Sequence, residues 1–237
     1  MNLVIDIGNT NIKTGLFENN CLLEALRFGD PNSFFDYFEN KKSMDILFSS
    51  VSDPKISEAI MALNPNAKQV KITDSLPIKI DYKTIQTLGI DRVISCIGAM
   101  RITKLPCLVV DIGTCITLDV IDENGVFLGG NISPGPRLRF EAMHNFTATL
   151  PLIHLSEESK VIGKSTEEAL QSGVKYGIIH EIEGMYRQLC NINEHFKLVL
   201  TGGYTTFFDN KLKGDIFAEP NLVLLGLQSI YEHNVKK

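Results

Sequence analysis

Two segments of this chain end an apolar run with an aspartate, a glycine and a hydroxyl or amide side chain. They read Leu3-Val4-Ile5-Asp6-Ile7-Gly8-Asn9-Thr10 and Leu108-Val109-Val110-Asp111-Ile112-Gly113-Thr114. Glycine permits a tight turn and exposes backbone N–H groups, which together bind anions. A carboxylate repels phosphate but binds a cation or its water ligands. We therefore interpret each segment as a phosphate-binding turn that works with a cation, as phosphoryl transfer requires.

The spacing of the two turns indicates an internal duplication. Asp6 and Asp111 are 105 positions apart in a chain of 237 residues. One copy of so short a motif is as readily an ordinary hairpin, whereas two copies at half-chain spacing favour a ligand site. Lys13 follows the first turn and is expected to neutralise phosphate charge. A third glycine turn, at residues 201–203, is interpreted as a loop that contacts the adenosine part of a bound nucleotide.

The elements that must position these turns repeat as well. Each half opens with three predicted strands, at 3–9, 12–18 and 21–28 and then at 107–112, 115–121 and 125–132, and Asn-Asn or Asn-Gly turns join the last two. Helices are predicted from hydrophobic periodicity and capping signals at 31–42, 91–101, 134–146, after the capping box 165–168, and at 222–231. We predict two domains, residues 1–105 and 106–237.

Composition excludes several classes of protein. The chain is 44% hydrophobic and 22% charged, with a net charge of −5. Without a basic stripe it is not expected to bind nucleic acid. No apolar run is long enough for a membrane span and no signal peptide is recognised, so we expect no membrane association and a cytoplasmic location. The five cysteines are expected to be reduced thiols, and the scattered histidines match no metal-ligand spacing.

Five motifs in order carry a resemblance to a known family. They are residues 6–13, Gly89-Ile90-Asp91-Arg92, residues 111–114, Gly129-Gly130-Asn131-Ile132-Ser133-Pro134-Gly135 and Gly163-Lys164-Ser165-Thr166. In this order they resemble the type III pantothenate kinases of the actin, Hsp70 and sugar-kinase superfamily. The resemblance implies an α/β fold of two similar ribonuclease-H-like halves, each a mixed β-sheet flanked by helices, with an ATP cleft between the halves.

The resemblance also implies which residues bind the nucleotide and its cations. Thr114 would contact ATP, and Asp6 would lie near the Mg²⁺ that accompanies ATP. Asp111 would help to hold a monovalent cation, K⁺ or NH₄⁺. The implied ATP-phosphate loop consists of Asp6, Ile7, Gly8, Asn9, Thr10, Asn11, Ile12 and Lys13.

The acceptor site is implied in the unrepeated segment between the two turns. Asp91 would be the general base that takes the proton from the primary hydroxyl of pantothenate, and Arg92 would pair with a substrate carboxylate. The other pantothenate contacts would be Tyr82, Gly89, Ile90 and Thr166. Family members are dimers, so a homodimer is implied, in which the partner helps to complete the pantothenate pocket.

Some of these residues have competing interpretations. Asp91 starts a predicted helix and is equally suited to cap it, and Thr166 lies one residue inside a capping box. The family usually has alanine where this chain has Ile90 and Cys115, and these larger side chains change the shape of a pocket wall.

Two other functions stay open. A non-catalytic transcription accessory factor on the same scaffold would be expected to lose the base or the cation-binding aspartate, but Asp6, Asp91 and Asp111 are all present. A kinase for another small alcohol would differ only around Tyr82, Ile90 and Thr166.

Overall fold

The structure is a computed structural model that describes residues 1–52 and 54–235. Its contacts divide the chain into two compact units. The first comprises Met1–Ile102, Gly125–Leu128 and Asn221–Lys237, and the second comprises Thr103–Asn124 and Gly129–Pro220. The predicted division of the chain into two repeated halves, residues 1–105 and 106–237, stays a prediction.

The elements are numbered here in chain order. The strands are β1 Asn2–Ile7, β2 Ile12–Glu18, β3 Cys21–Phe28, β4 Asp45–Ser50, β5 Lys68–Gln69, β6 Lys79–Ile80, β7 Cys107–Ile112, β8 Cys115–Ile121, β9 Val126–Pro134, β10 Lys197–Thr201 and β11 Ile216–Ala218. The helices are α1 Pro31–Glu39, α2 Pro54–Leu63, α3 Ile90–Ile102, α4 Pro136–Asn145, α5 Thr166–Ile192, α6 Thr205–Phe208 and α7 Leu222–Val235.

The first unit is built on a mixed sheet in the order β3-β2-β1-β4-β5. Strand β1 pairs antiparallel with β2 and parallel with β4. The turn between β2 and β3 has Asn19 at φ 49° and Asn20 at φ 67°, a left-handed pair that asparagine tolerates, and this confirms the predicted hairpin. Phe34 and Phe38 of α1 are four residues apart, so both fall on the helix face that is buried in this core.

Helix α3 crosses α7 within the first unit at two glycines. A Cβ at Gly98 would overlap the carbonyl oxygen of Leu222, and a Cβ at Gly226 would overlap that of Ile94. The two backbones therefore touch directly, which only residues without a side chain permit. This contact fixes α3, whose first turn carries Asp91 and Arg92.

The second sheet is also mixed and has six strands, in the order β11-β10-β7-β8-β9-β6. Strand β7 is parallel to β10 and antiparallel to β8. Leu170, Val174, Ile178 and Ile182 form the buried face of α5 in this core. The start of β9 belongs to the first unit, where Val126 and Phe127 pair in parallel with β6.

The two mixed sheets flanked by helices confirm the predicted α/β class. The strands and helices named in the sequence analysis are all present, with ends that differ by a few residues. The strands predicted at 46–51, 69–73 and 198–200 and the helix predicted from Pro54 are present as β4, β5, β10 and α2. The structure adds β6, β11 and the one-turn helix α6, which are too short to give a periodic pattern in the sequence. Within the described residues, no helix combines the length and the apolar character that crossing a membrane requires.

Candidate active site

The first aspartate-glycine turn connects β1 to β2. Asp6 pairs with Lys13 across the hairpin, and the Gly8 N–H donates to the Asn11 carbonyl oxygen over 3.0 Å. Asn9 and Thr10 are exposed at its tip. Ile7 and Ile12 are buried in the core, so their side chains anchor the turn. The polar residues at its tip are thus exposed on a hairpin whose base is held in the core.

The carboxyl of Asp6 has an unusual environment. Burial raises its pKa from 3.8 to about 6, the Lys13 charge and a hydrogen bond from Ser49 oppose the rise, and the Asp91 charge adds to it. The Ser49 hydroxyl donates to Asp6 Oδ1 over 2.9 Å, because β1 and β4 are parallel and place the two residues side by side. No role was predicted for Ser49 from the sequence, although a pair of serines directly after the buried run 46–48 is a signal for it.

The structure brings Asp91 and Asp6 close enough for their charges to interact. Asp91 lies in the first turn of α3, and its Oδ1 accepts a hydrogen bond of 3.0 Å from the Arg92 N–H. Burial raises the pKa of Asp91, and hydrogen bonding and the Arg92 charge counteract this. A Cβ at Gly89 would lie only 2.5 Å from Asp91 Oδ1, so glycine is needed there to make room for the carboxylate.

Arg92 is buried between two aromatic rings. Its guanidinium carbon lies 5.9 Å from the centre of the Tyr82 ring and 5.8 Å from that of Phe127. Both distances fit cation–π contacts, which hold a buried guanidinium in place. The predicted neighbours Tyr82 and Arg92 are therefore together. Phe127 has no signal in the sequence, since it reaches the site through the pairing of β9 with β6.

The second aspartate-glycine turn lies in the second unit, between β7 and β8. The Gly113 N–H donates to the Cys115 carbonyl oxygen over 2.9 Å, and the Thr114 carbonyl oxygen accepts from the Gly135 N–H over 3.0 Å. Gly202, at φ 97°, lies so close to Asp111 that a Cβ would overlap the carboxylate. Asp111 is thus packed between its own turn and the glycine turn that follows β10.

Thr166 is the first residue of α5 and is exposed. The capping role belongs to its neighbour: the Ser165 hydroxyl accepts from the Glu168 N–H over 3.2 Å. The Glu168 carboxylate accepts from the Lys164 N–H over 2.6 Å. Because Ser165 and Glu168 satisfy the helix start, the Thr166 hydroxyl is not needed for the cap.

The chain that carries these turns is similar to one protein family along most of its length. The family model described as type III pantothenate kinase matches residues 2–188. A type III pantothenate kinase of Flavobacterium psychrophilum is 39% identical and covers 98% of this chain and 99% of its own. That of Christiangramia forsetii is 41% identical, with 99% of both chains covered. The chain belongs to the type III pantothenate kinase family. The candidate residues from Asp6 to Thr166 lie within the matched range, and the glycine turn 201–203 lies beyond it.

Solved structures share the overall fold of this member of the type III pantothenate kinase family. A protein of Campylobacter jejuni, described as a candidate Baf family transcriptional activator, matches with a TM-score of 0.68 at 24% identity, covering 99% of this chain and 100% of that one. A Sinorhizobium meliloti protein, described as a candidate 2-dehydro-3-deoxygalactonokinase, matches with a TM-score of 0.57 at 11% identity, covering 99% of both chains.

The donors that this kinase chain offers suit the magnesium of a nucleotide rather than a metal site made by protein alone. Among the described residues, no three His, Cys, Asp or Glu side chains are grouped to hold a metal ion. Mg²⁺ bound with a nucleotide takes one or two carboxylates together with phosphate oxygens and water. Asp6 at the first turn, hydrogen-bonded by Ser49, would supply one such carboxylate, so the residues present fit this kind of site.

Proposed function

We propose that this protein transfers the γ-phosphoryl group of ATP to pantothenate, giving 4'-phosphopantothenate, the first step towards coenzyme A. The observation that carries the proposal is the electrostatic interaction of Asp91 with Asp6. In a chain of this kinase family, a half-buried acidic residue at the start of α3 lies within electrostatic reach of the first glycine turn. A nucleotide turn and a candidate base are thereby present in the same unit.

The first turn is the proposed site of the ATP phosphates. Its backbone N–H groups, the polar residues 9–11 and the Lys13 charge suit a triphosphate. Asp6 would hold Mg²⁺, which neutralises charge on the phosphate oxygens when bound. In the second unit, Thr114 is proposed to contact ATP and Asp111 to hold K⁺ or NH₄⁺.

Asp91 is the proposed general base. It takes the proton of the primary hydroxyl as that oxygen forms a bond to the γ-phosphorus, and the bond from phosphorus to the leaving oxygen of ADP breaks in line. A buried carboxyl with a raised pKa is a stronger base than an exposed one, which suits proton abstraction near neutral pH.

The carboxylate of pantothenate is proposed to pair with Arg92. The rings of Tyr82 and Phe127 fix the guanidinium, so little side-chain freedom is lost when the ion pair forms. Gly89, Ile90 and Thr166 are the remaining proposed contacts. Ile90 is half-buried beside Asp91. Its side chain is larger than the alanine that the family usually has there, so it would narrow the proposed pantothenate pocket.

We also propose a homodimer in the cytoplasm. Several large apolar side chains of the second unit are mainly exposed in the single chain, which would be unfavourable in water without a partner. They are Ile132, Phe146, Val161 and Ile162.

ADP release in the presence of pantothenate, Mg²⁺ and K⁺ tests the proposal. We expect turnover in the wild type, a strong dependence on K⁺, and a loss of about 10²- to 10⁴-fold in Asp91→Asn, because proton transfer by a placed base contributes that much. Asp36→Asn removes an exposed carboxylate from α1 and should keep full activity. Absence of pantothenate-dependent ADP release would exclude the proposed reaction.

A panel of other small alcohols separates this substrate from related ones. The proposed pairing with Arg92 requires a carboxylate on the acceptor. We therefore expect pantothenol, which has a hydroxyl in its place, to be a much poorer substrate. Equal use of both compounds would contradict the role of Arg92 while leaving the kinase activity intact.

A further inference from the structure

The second aspartate-glycine turn rests on a segment that is itself held by an ion pair. Gly135 is buried, and its N–H donates to the Thr114 carbonyl oxygen over 3.0 Å. A Cβ at Gly135 would overlap the Gly113 oxygen and lie 2.6 Å from the Thr114 oxygen. The backbone of residues 133–135 therefore lies directly behind residues 113 and 114, and a shift of one segment moves the other.

Glu181 of α5 holds that segment through two partners. The Ser133 hydroxyl donates to Glu181 Oε1 over 2.5 Å, and the Arg139 guanidinium forms a short ion pair with Glu181 Oε2. Arg139 reaches back as well, since its Nε donates to the Pro134 carbonyl oxygen over 2.7 Å. The side chains of Arg139 and Glu181 are only 20% and 27% exposed, so water competes weakly for these bonds.

We propose that Glu181 and Arg139 are positioning residues for the second turn. They fix residues 133–135, and these fix Gly113 and Thr114. The inference rests on the proposed function, which gives Thr114 a contact with ATP and Asp111 a monovalent cation. Glu181 and Arg139 therefore act on nucleotide and K⁺ affinity, and they do not act on the acceptor residues of the first unit.

The geometry requires both the charge and the shape of these side chains. The guanidinium bonds three groups at once: Nε donates to the Pro134 carbonyl oxygen, and Nη2 donates to Glu181 and to the Ser133 hydroxyl. Lysine carries the same charge on a single nitrogen and cannot reproduce all of these bonds. Arg139→Lys is therefore a conservative change that breaks the proposed linkage, and Glu181→Gln removes the charge with almost no change of volume.

The experiment compares Arg139→Lys, Glu181→Gln and their double variant with the wild type. We expect the KM for ATP and the K⁺ concentration for half-activation to rise about 10- to 100-fold, because a small misplacement of binding groups has an effect of this size. The KM for pantothenate should stay within about twofold. The double variant should lose less than the product of the two single losses, because both residues act through one linkage.

A matched control pair lies on α4, the helix that carries Arg139. Arg137 and Glu141 of α4 form an ion pair of 3.5 Å that is about half exposed. Arg137→Lys and Glu141→Gln make the same chemical changes there and should leave all kinetic constants unchanged.

Calorimetry of MgADP binding, with and without K⁺, keeps this inference separate from the proposed reaction. If the wild type binds MgADP but does not phosphorylate pantothenate, the proposed function fails and the variants still test the linkage. Weaker, less K⁺-sensitive MgADP binding in Arg139→Lys and Glu181→Gln would support the proposal. A lower thermal midpoint with unchanged MgADP and K⁺ affinity, or an equal rise in both KM values, would overturn it.

Discussion

Asp6 and Asp91 are distant in sequence, yet the charge of Asp91 changes the chemistry of Asp6. Burial raises the pKa of both carboxyl groups, and the charge of Asp91 raises the pKa of Asp6 further. Lys13 and Ser49 work in the opposite direction and favour the ionised form of Asp6. The first turn thus holds a carboxylate that is costly in the unliganded protein and becomes favourable when a cation binds beside it.

Because burial makes the ionised form of Asp6 unfavourable in the folded protein, we predict that Asp6→Asn stabilises the fold while it removes the proposed magnesium ligand. With a folded-state pKa of about 6 against 3.8, folded Asp6 binds a proton more readily than unfolded Asp6. Its stabilising contribution is full below pH 3.8 and is lost as pH rises through about 6. In EDTA at pH 8, Asp6→Asn should be more stable than the wild type by about 1–2 kcal/mol, and the difference should vanish towards about pH 4.

Urea unfolding at several pH values measures this difference. Asp36→Asn replaces an exposed aspartate and should stay within about 0.5 kcal/mol of the wild type throughout. An Asp6→Asn variant that is less stable at every pH would show that Asp6 mainly contributes a favourable structural contact.

At the scale of elements, the crossing of α3 and α7 positions the acceptor residues. Asp91 and Arg92 occupy the first turn of α3, and Gly98 further along that helix lies against the backbone of α7. A helix that touches its neighbour through backbone atoms has little room to shift. The placement of the candidate base therefore depends on two glycines that carry no chemistry themselves.

We expect Gly98→Ala to destabilise the protein by about 1–3 kcal/mol and to lower its activity, since the new methyl group overlaps the Leu222 carbonyl and displaces α3. Gly184 lies inside α5, and a Cβ there would meet nothing within 4 Å, so Gly184→Ala should stabilise by about 0.5–1 kcal/mol. Denaturant unfolding and ADP release measure the two effects. Equal stability of the two variants would contradict the close crossing.

At the scale of the whole molecule, the most exposed apolar side chains of the second unit indicate a contact surface. Phe146, at the end of α4, is 88% exposed, and Ile162, just before α5, is 76% exposed. Within the described part of the chain, a Cβ added at Gly173 of α5 would meet nothing within 4 Å, and one added at Gly177 would meet only the Arg139 side chain, at 3.5 Å. These features favour contact of the second unit with another copy of the chain.

The prediction is a dimer that Phe146→Glu weakens. Light scattering should give about twice the chain mass of 26.4 kDa for the wild type and a mass closer to one chain for the variant. Leu23→Glu places the same charge at an apolar residue of β3 that is 55% exposed, and it should remain dimeric. A monomeric wild type, or equal dissociation of both variants, would exclude the second unit as the dimer surface.

The sequence by itself determined the features that local chemistry encodes. Alternating strands around glycine turns, the Asn19-Asn20 hairpin and the Ser165 cap all depend on neighbours a few residues away, and all are as predicted. The five motifs within residues 6–13, 89–92, 111–114, 129–135 and 163–166 indicated the family because their residue types and their order are specific.

Only the tertiary structure decided which distant groups meet. Ser49 bonds Asp6 because two parallel strands are in register, and Phe127 reaches Arg92 because β9 pairs with β6. Glu181 reaches Ser133 and Arg139 because α5 packs beside α4. Such contacts depend on strand register and helix packing over long sequence separations, which hydrophobic periodicity does not specify.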